Sequence, residues 1–177
     1  MVAANEYIII ICFNAGILCS VWDIILFQDY INFWTRDDAL THAYSEWIAA
    51  AAYENYLVDR DEEFLKSQQA GLARNFRKWE SNFNDNVGMY FLSSHDDAME
   101  QSCSSIPSED PYRGGVGYRP SFNSELYANA LALAEGALLN GDVNAAENYR
   151  NQAEALRRNI LTHLWDPERK FFYHMMR

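Results

Sequence analysis

The sequence predicts an all-α fold made of two consecutive helical hairpins, and three observations predict it. Four segments carry apolar residues at helical spacing, the links within each pair are two or three residues long, and charge alternates poor, rich, poor, rich along the four. A helix that is apolar on most faces must be surrounded by protein, whereas one with a single apolar stripe and a charged back sits outside. Inner and outer helices alternating in hairpins predict an α-solenoid or an α/α toroid.

The first pattern spans residues 39–58. Asp37 and Asp38 stand where they can cap it, and Leu40, Tyr44, Trp47 and Ala51 form its stripe. The second spans residues 61–80, with Leu65, Leu72, Phe76 and Trp79 on one side and Asp61, Glu62 and Glu63 favourably placed in its first turn. A third opens at Ser121 or Asn123 and runs to Leu139, where Asn140-Gly141 reads as a stop. The fourth starts at Asp142 and carries Tyr149, Ala153, Leu156 and Ile160 to about Leu164. Beyond it, Trp165-Asp166-Pro167 breaks the periodicity, and Lys170 to His174 has strand-like composition.

Residues 1–35 differ from the rest. Positions 7–27 are almost wholly apolar, with Asn14 and Asp23 as interruptions, Glu6 ahead of them and the first basic residue at Arg36. A signal or anchor, a buried element, and sequence foreign to the native start remain three open readings, because the basic flank and cleavage pattern of a targeting segment are missing. The expected division is therefore an atypical segment over 1–35 and a helical domain over 36–177. Membrane association has no route except residues 7–27.

The 25 acidic residues outweigh 14 basic ones for a net charge of -11, which removes the electrostatic footprint of a nucleic-acid or anionic-lipid binder. Cys12, Cys19 and Cys103 are too scattered for a disulfide framework or a zinc site, so no metal is expected and the compartment stays open.

The 40-residue connection between the second and third helices is the exception to the short links, so ligand-binding loops are expected on its face. It gathers Asp96, Asp97, Glu100, Glu109 and Asp110 with Tyr112, Arg113, Tyr118 and Arg119, and Gly114, Gly115 and Gly117 permit close backbone approach. Acids beside aromatics and arginine suit a sugar site. Glycoside hydrolysis needs one carboxylic acid to protonate the leaving oxygen and a second carboxylate as base or nucleophile, while ring faces pack on sugar C–H surfaces.

HAYSEWIAAAAYENYLVDRDEEFLKSQQAGLARNFRKWE, DDAMEQS, GYRPSFNSELYANALALAEGALLNGD and LWDPERKFF follow in that order over residues 36–172. Together they resemble the six-hairpin (α/α)6-barrel glycosidases, in the mannosylglycerate-hydrolase-like and related glucosidase group. The resemblance implies a partial (α/α)6 toroid, two hairpins with a long active-face loop, acting on an α-linked glucoside or mannoside by inversion and without a cofactor. It implies Asp97 as general acid, from the family's D-G-M-E stretch, with Asp96 as the register alternative. Ala98 replaces the usual Gly there. Tyr118, Arg119, Asn123, Tyr127 and Trp47 are the implied substrate contacts. The family's base is a Glu far downstream of the arginine motif, so this chain is expected to carry the acid without the base.

Blander readings compete with several of these. Aromatics at helical spacing usually fill interiors, so Trp47 also reads as core packing. Arg119 also reads as a neutraliser of Glu125 or a loop cap, Asn123 as a helix cap, Glu100 as a loop fastener and His95 as an ordinary lone histidine. From another functional class, a non-catalytic α-solenoid scaffold is the alternative. It would need a period near 34 residues, which the chain lacks.

Overall fold

A computed structural model describes residues 21–35, 45–98, 110 and 114–177. Its helices are α1 (Val21–Thr35), α2 (Ile48–Asp59), α3 (Glu62–Arg77), α4 (Pro120–Leu139) and α5 (Val143–His163). Short strands β1 (Phe83–Asn84) and β2 (Met89–Tyr90) pair antiparallel after a 3-10 turn at Lys78–Asn82. Further antiparallel pairs join β3 (Gly117–Tyr118) to β6 (Met175–Met176) and β4 (Trp165–Asp166) to β5 (Phe171–Phe172). The architecture is all-α, two hairpins of a partial toroid with the long connection between them.

Local chemistry sets most of the helix ends. Asp61 accepts from the Phe64 N–H at 2.9 Å to open α3, and Asp142 accepts from the Ala145 N–H at 2.9 Å to open α5. Gly141, at φ 77, makes the turn between α4 and α5. The third pattern begins slightly earlier than predicted, because Pro120 occupies the first turn of α4, where its missing N–H costs nothing.

The first pattern begins later than predicted. Ser45 to Trp47 are not helical and α2 starts at Ile48, whose N–H donates to the Glu46 carboxylate at 2.6 Å. The Ser45 N–H is spent on the Asp96 carbonyl at 2.8 Å, so this stretch is tied to the long loop instead of continuing the helix. The predicted cap at Asp37-Asp38, the stripe residues Leu40 and Tyr44, and most of the apolar stretch 7–27 lie outside the described residues.

The helix of least charge sits centrally. α4 packs against α5, α2 and α3, and half of its 20 residues are buried on several faces. The outer helices bury one stripe each: Leu65, Leu72, Ala73 and Phe76 from α3, and Ala146, Ala153, Leu156 and Ile160 from α5. Trp79 stands edge-on to Phe122 at 4.8 Å between centroids, locking the end of α3 to the start of α4. α1 packs on α3 and α2, with the Thr35 carbonyl accepting from Arg74 at 2.8 Å and Gln28 reaching Asp59 at 3.4 Å. Among the described residues, no helix is long and apolar enough to cross a membrane.

Candidate active site

The long connection is anchored before it bends. Leu92 and Gly117 exchange backbone hydrogen bonds at 2.9 and 3.0 Å, and on the other side Gly117 faces the Met175 carbonyl so closely that a Cβ would collide with it. The glycine of the arginine motif is therefore required by strand contact on both sides. Between these anchors a tight turn carries Ser93 to Ala98. Asp96 is consumed by that turn, one carboxylate oxygen accepting from Ser93 Oγ at 2.7 Å and the other meeting His95 Nδ1 at 3.1 Å.

Asp97 points the other way, into protein. Its side chain is 6% exposed, one oxygen accepts from Ser121 Oγ at 2.5 Å, and the Ser45 hydroxyl also lies within hydrogen-bonding reach. Ala98 follows at φ 52, in the left-handed region where the usual glycine of this stretch is at ease. Asp96, by contrast, is more exposed and already bonded within its own turn.

Burial raises the Asp97 carboxyl above the ordinary aspartate value, and the bonds from Ser121 and Ser45 and the charge of Arg119 pull back only in part. Glu125 lies on the same face of α4 as Ser121, one turn on. Burial first, and then the charges of Asp97 and Glu46, push it up to about 7. Glu46, 6% exposed, is also raised by burial, although it accepts from Ile48 N–H and lies 3.4 Å from Trp79 Nε1. Three carboxyls and two serine hydroxyls thus converge where the loop, the start of α2 and the start of α4 meet.

The residues expected to touch substrate divide sharply by position. Trp47 is 54% exposed at the N-terminus of α2. Arg119 is 3% exposed and donates to Ser94 Oγ at 2.5 Å and the Gly115 carbonyl at 2.9 Å, with Leu92 O at 3.4 Å. It fastens the two ends of the loop, and its charge acts on Asp97. Asn123 is fully enclosed. Its amide donates to Tyr90 O and Arg119 O and its oxygen accepts from Tyr90 N–H at 2.8 Å, which clamps β2 to α4 and leaves no N–H for a sugar hydroxyl.

Tyr118 is 3% exposed and its hydroxyl accepts from Asn84 at 2.7 Å, so it too is part of the scaffold. Tyr127 stands two residues from Glu125, about 200° around the helix, and lies within electrostatic range of Arg157 on the outer helix. That places it away from the carboxyl cluster rather than beside it. Glu100, Glu109, Tyr112 and Arg113 lie outside the described residues.

Sequence reasoning missed Ser45, Ser121, Glu46 and Glu125. A signal existed: a carboxylate on a helix that must be inner is costly to bury, and Glu46 and Glu125 are acids of the two charge-poor segments. Among the described residues, no group of three or more His, Cys, Asp and Glu side chains could hold a metal ion.

The family described as "Mannosylglycerate hydrolase MGH1-like glycoside hydrolase domain" matches residues 20–177. No curated protein matches the chain. Five chains of solved structures match, among them one named "Sialidase", 28% identical, with a TM-score of 0.72 over 85% of this chain. The match takes in 14% of that structure's own length.

Proposed function

The chain belongs to the mannosylglycerate hydrolase MGH1-like glycoside hydrolase family, and from that premise we propose that it contributes the general acid of an inverting hydrolase acting on an α-linked glucoside or mannoside. Asp97 is the acid. The observation that carries this reading is its placement, 6% exposed and bonded by Ser121, in a pocket whose burial favours the protonated form. A carboxylic acid held so can protonate the glycosidic oxygen as the bond to the anomeric carbon breaks.

The base is a carboxylate beyond this chain. Inversion needs room for water between two carboxyls roughly 6.5–9.5 Å apart, and in the resembled family the second carboxylate is a Glu far downstream of the arginine motif. Arg119 holds the turn that presents Asp97, and Trp47 offers an exposed ring face for a sugar.

Asp97→Asn in a longer form carrying the complete barrel tests the assignment. Turnover should fall by roughly 10²- to 10⁴-fold while sugar binding stays unchanged. Full activity in that variant excludes Asp97 as the acid.

A further inference from the structure

A cavity of about 560 Å³ opens between the two outer helices, α3 and α5, and the β1–β2 hairpin. That volume is ample for a small ligand, and none of Ser45, Asp97, Ser121 or Glu125 lines it. Four rings cross it in a continuous chain from the hairpin to α5. Phe83 meets Tyr90 at 4.8 Å between centroids, Tyr90 meets Phe76 at 6.5 Å, and Phe76 meets Tyr149 at 6.1 Å. Phe83 at one end is 36% exposed, and Tyr149 at the other is half-buried.

Tyr90 supplies an independent observation. It is 7% exposed, its backbone N–H and carbonyl are both taken by Asn123, and its hydroxyl makes no hydrogen bond among the described residues. A phenol so placed lacks an acceptor, which an oxygen brought into the cavity would supply. Burial and then the charge of Glu80 push its pKa up to about 12, so it remains a donor at neutral pH. Around the rim, Asn148 and Gln152 stand one turn apart on α5, with Arg77 and Glu80 where α3 ends and Asp85 in the hairpin. None of these five side chains makes a hydrogen bond or ion pair among the described residues. Two carboxylates against one guanidinium disfavour an anion, whereas sugar hydroxyls, each both donor and acceptor, match amide, carboxylate and phenol alike.

We propose that this cavity is a second carbohydrate site, taking a short neutral oligosaccharide whose C–H faces lie on Phe83 and Tyr149 and whose hydroxyls bond Tyr90, Asn148 and Gln152. It holds sugar without cleaving it, and it does not depend on Asp97 being the general acid.

Backbone-amide NMR of the 177-residue chain tests this, with maltotriose and an α-linked mannotriose titrated separately to about 20 mM, well past the ~1 mM dissociation constant expected of an open groove. At least one of the two should give saturable shifts centred on residues 83–90 and 145–156. The double variant Asn148→Ala/Gln152→Ala, altered only at exposed positions, should bind about tenfold more weakly, while Asp97→Asn should bind as the unaltered chain does. Saturable shifts with neither sugar, shifts centred instead on residues 93–98 and 121–125, or unchanged affinity in the double variant would each overturn the proposal, and the first two of these need no variant to fold. Inorganic phosphate should leave the cavity residues unmoved; saturable binding of phosphate there in place of sugar overturns the neutral ligand. Sugar bound at the cavity together with full turnover by Asp97→Asn in the longer form would overturn the acid assignment alone.

Discussion

Ala98 shows how one residue registers a backbone demand. Its φ of 52 lies where a Cβ crowds the following carbonyl, so the turn after Asp97 carries strain that glycine would relieve. Ala98→Gly should therefore stabilise the chain by about 0.5–1 kcal/mol after the added unfolded-state freedom is counted, measured as a rise in urea midpoint. Glu125 makes a second residue-scale demand. Because burial and its acidic neighbours raise its folded value to about 7, the native state binds more protons than the unfolded chain from roughly pH 4.5 to 7 and loses stability as pH rises through that window. Glu46 and Asp97 shift in the same direction. Comparing urea midpoints at pH 5 and pH 8, Glu125→Gln should flatten the fall by at most about 3 kcal/mol.

Helix boundaries followed side-chain chemistry at the element scale. Asp61 and Asp142 were legible as caps, since an Asp ahead of an amphipathic pattern offers an oxygen to the free N–H groups of the first turn. Asp142→Ala should cost about 1 kcal/mol, seen by thermal unfolding as a lower Tm, because it strips the acceptor of the Ala145 N–H. The start of α2 was not legible. Its apolar spacing continued smoothly through Tyr44 and Trp47, but the Ser45 N–H is drawn to Asp96, 51 positions away in sequence, and periodicity cannot report such a partner. Asn123 has the same history. Either cap or sugar contact was readable from its position, and it is neither, because β2 passes close enough for both of its backbone groups to be clamped.

Residues 175–177 tie together parts of the described chain that are far apart in sequence. β6 pairs with β3, Arg177 stands 3.8 Å over the Phe91 ring, and its N–H donates to the Val116 carbonyl at 3.0 Å. These contacts brace the strand that leads directly into Arg119 and α4. Removing residues 173–177 should destabilise the chain by roughly 1–3 kcal/mol, from a lost cation–π contact and a few backbone hydrogen bonds. Hydrogen exchange should show faster opening at Leu92 and Gly117, with α5 little changed. Centrality of α4 is likewise a property of the whole, since three helices are needed to cover a segment that is apolar on most sides.

What the sequence by itself determined is the all-α hairpin order, the inner position of α4, the caps of α3 and α5, and the family. Each rests on local spacing, or on an ordered set of motifs, and needs no distant partner. Tertiary structure alone decided which residues gather around Asp97. It withdrew Tyr118 and Asn123 into the scaffold, turned Tyr127 away, left Trp47 exposed, and brought Ser45, Ser121 and Glu125 around Asp97 from two separated stretches of chain. The physical reason is that burial and shared hydroxyls, which set the protonation of a carboxyl, depend on what lies within a few ångströms and not on what lies nearby in sequence.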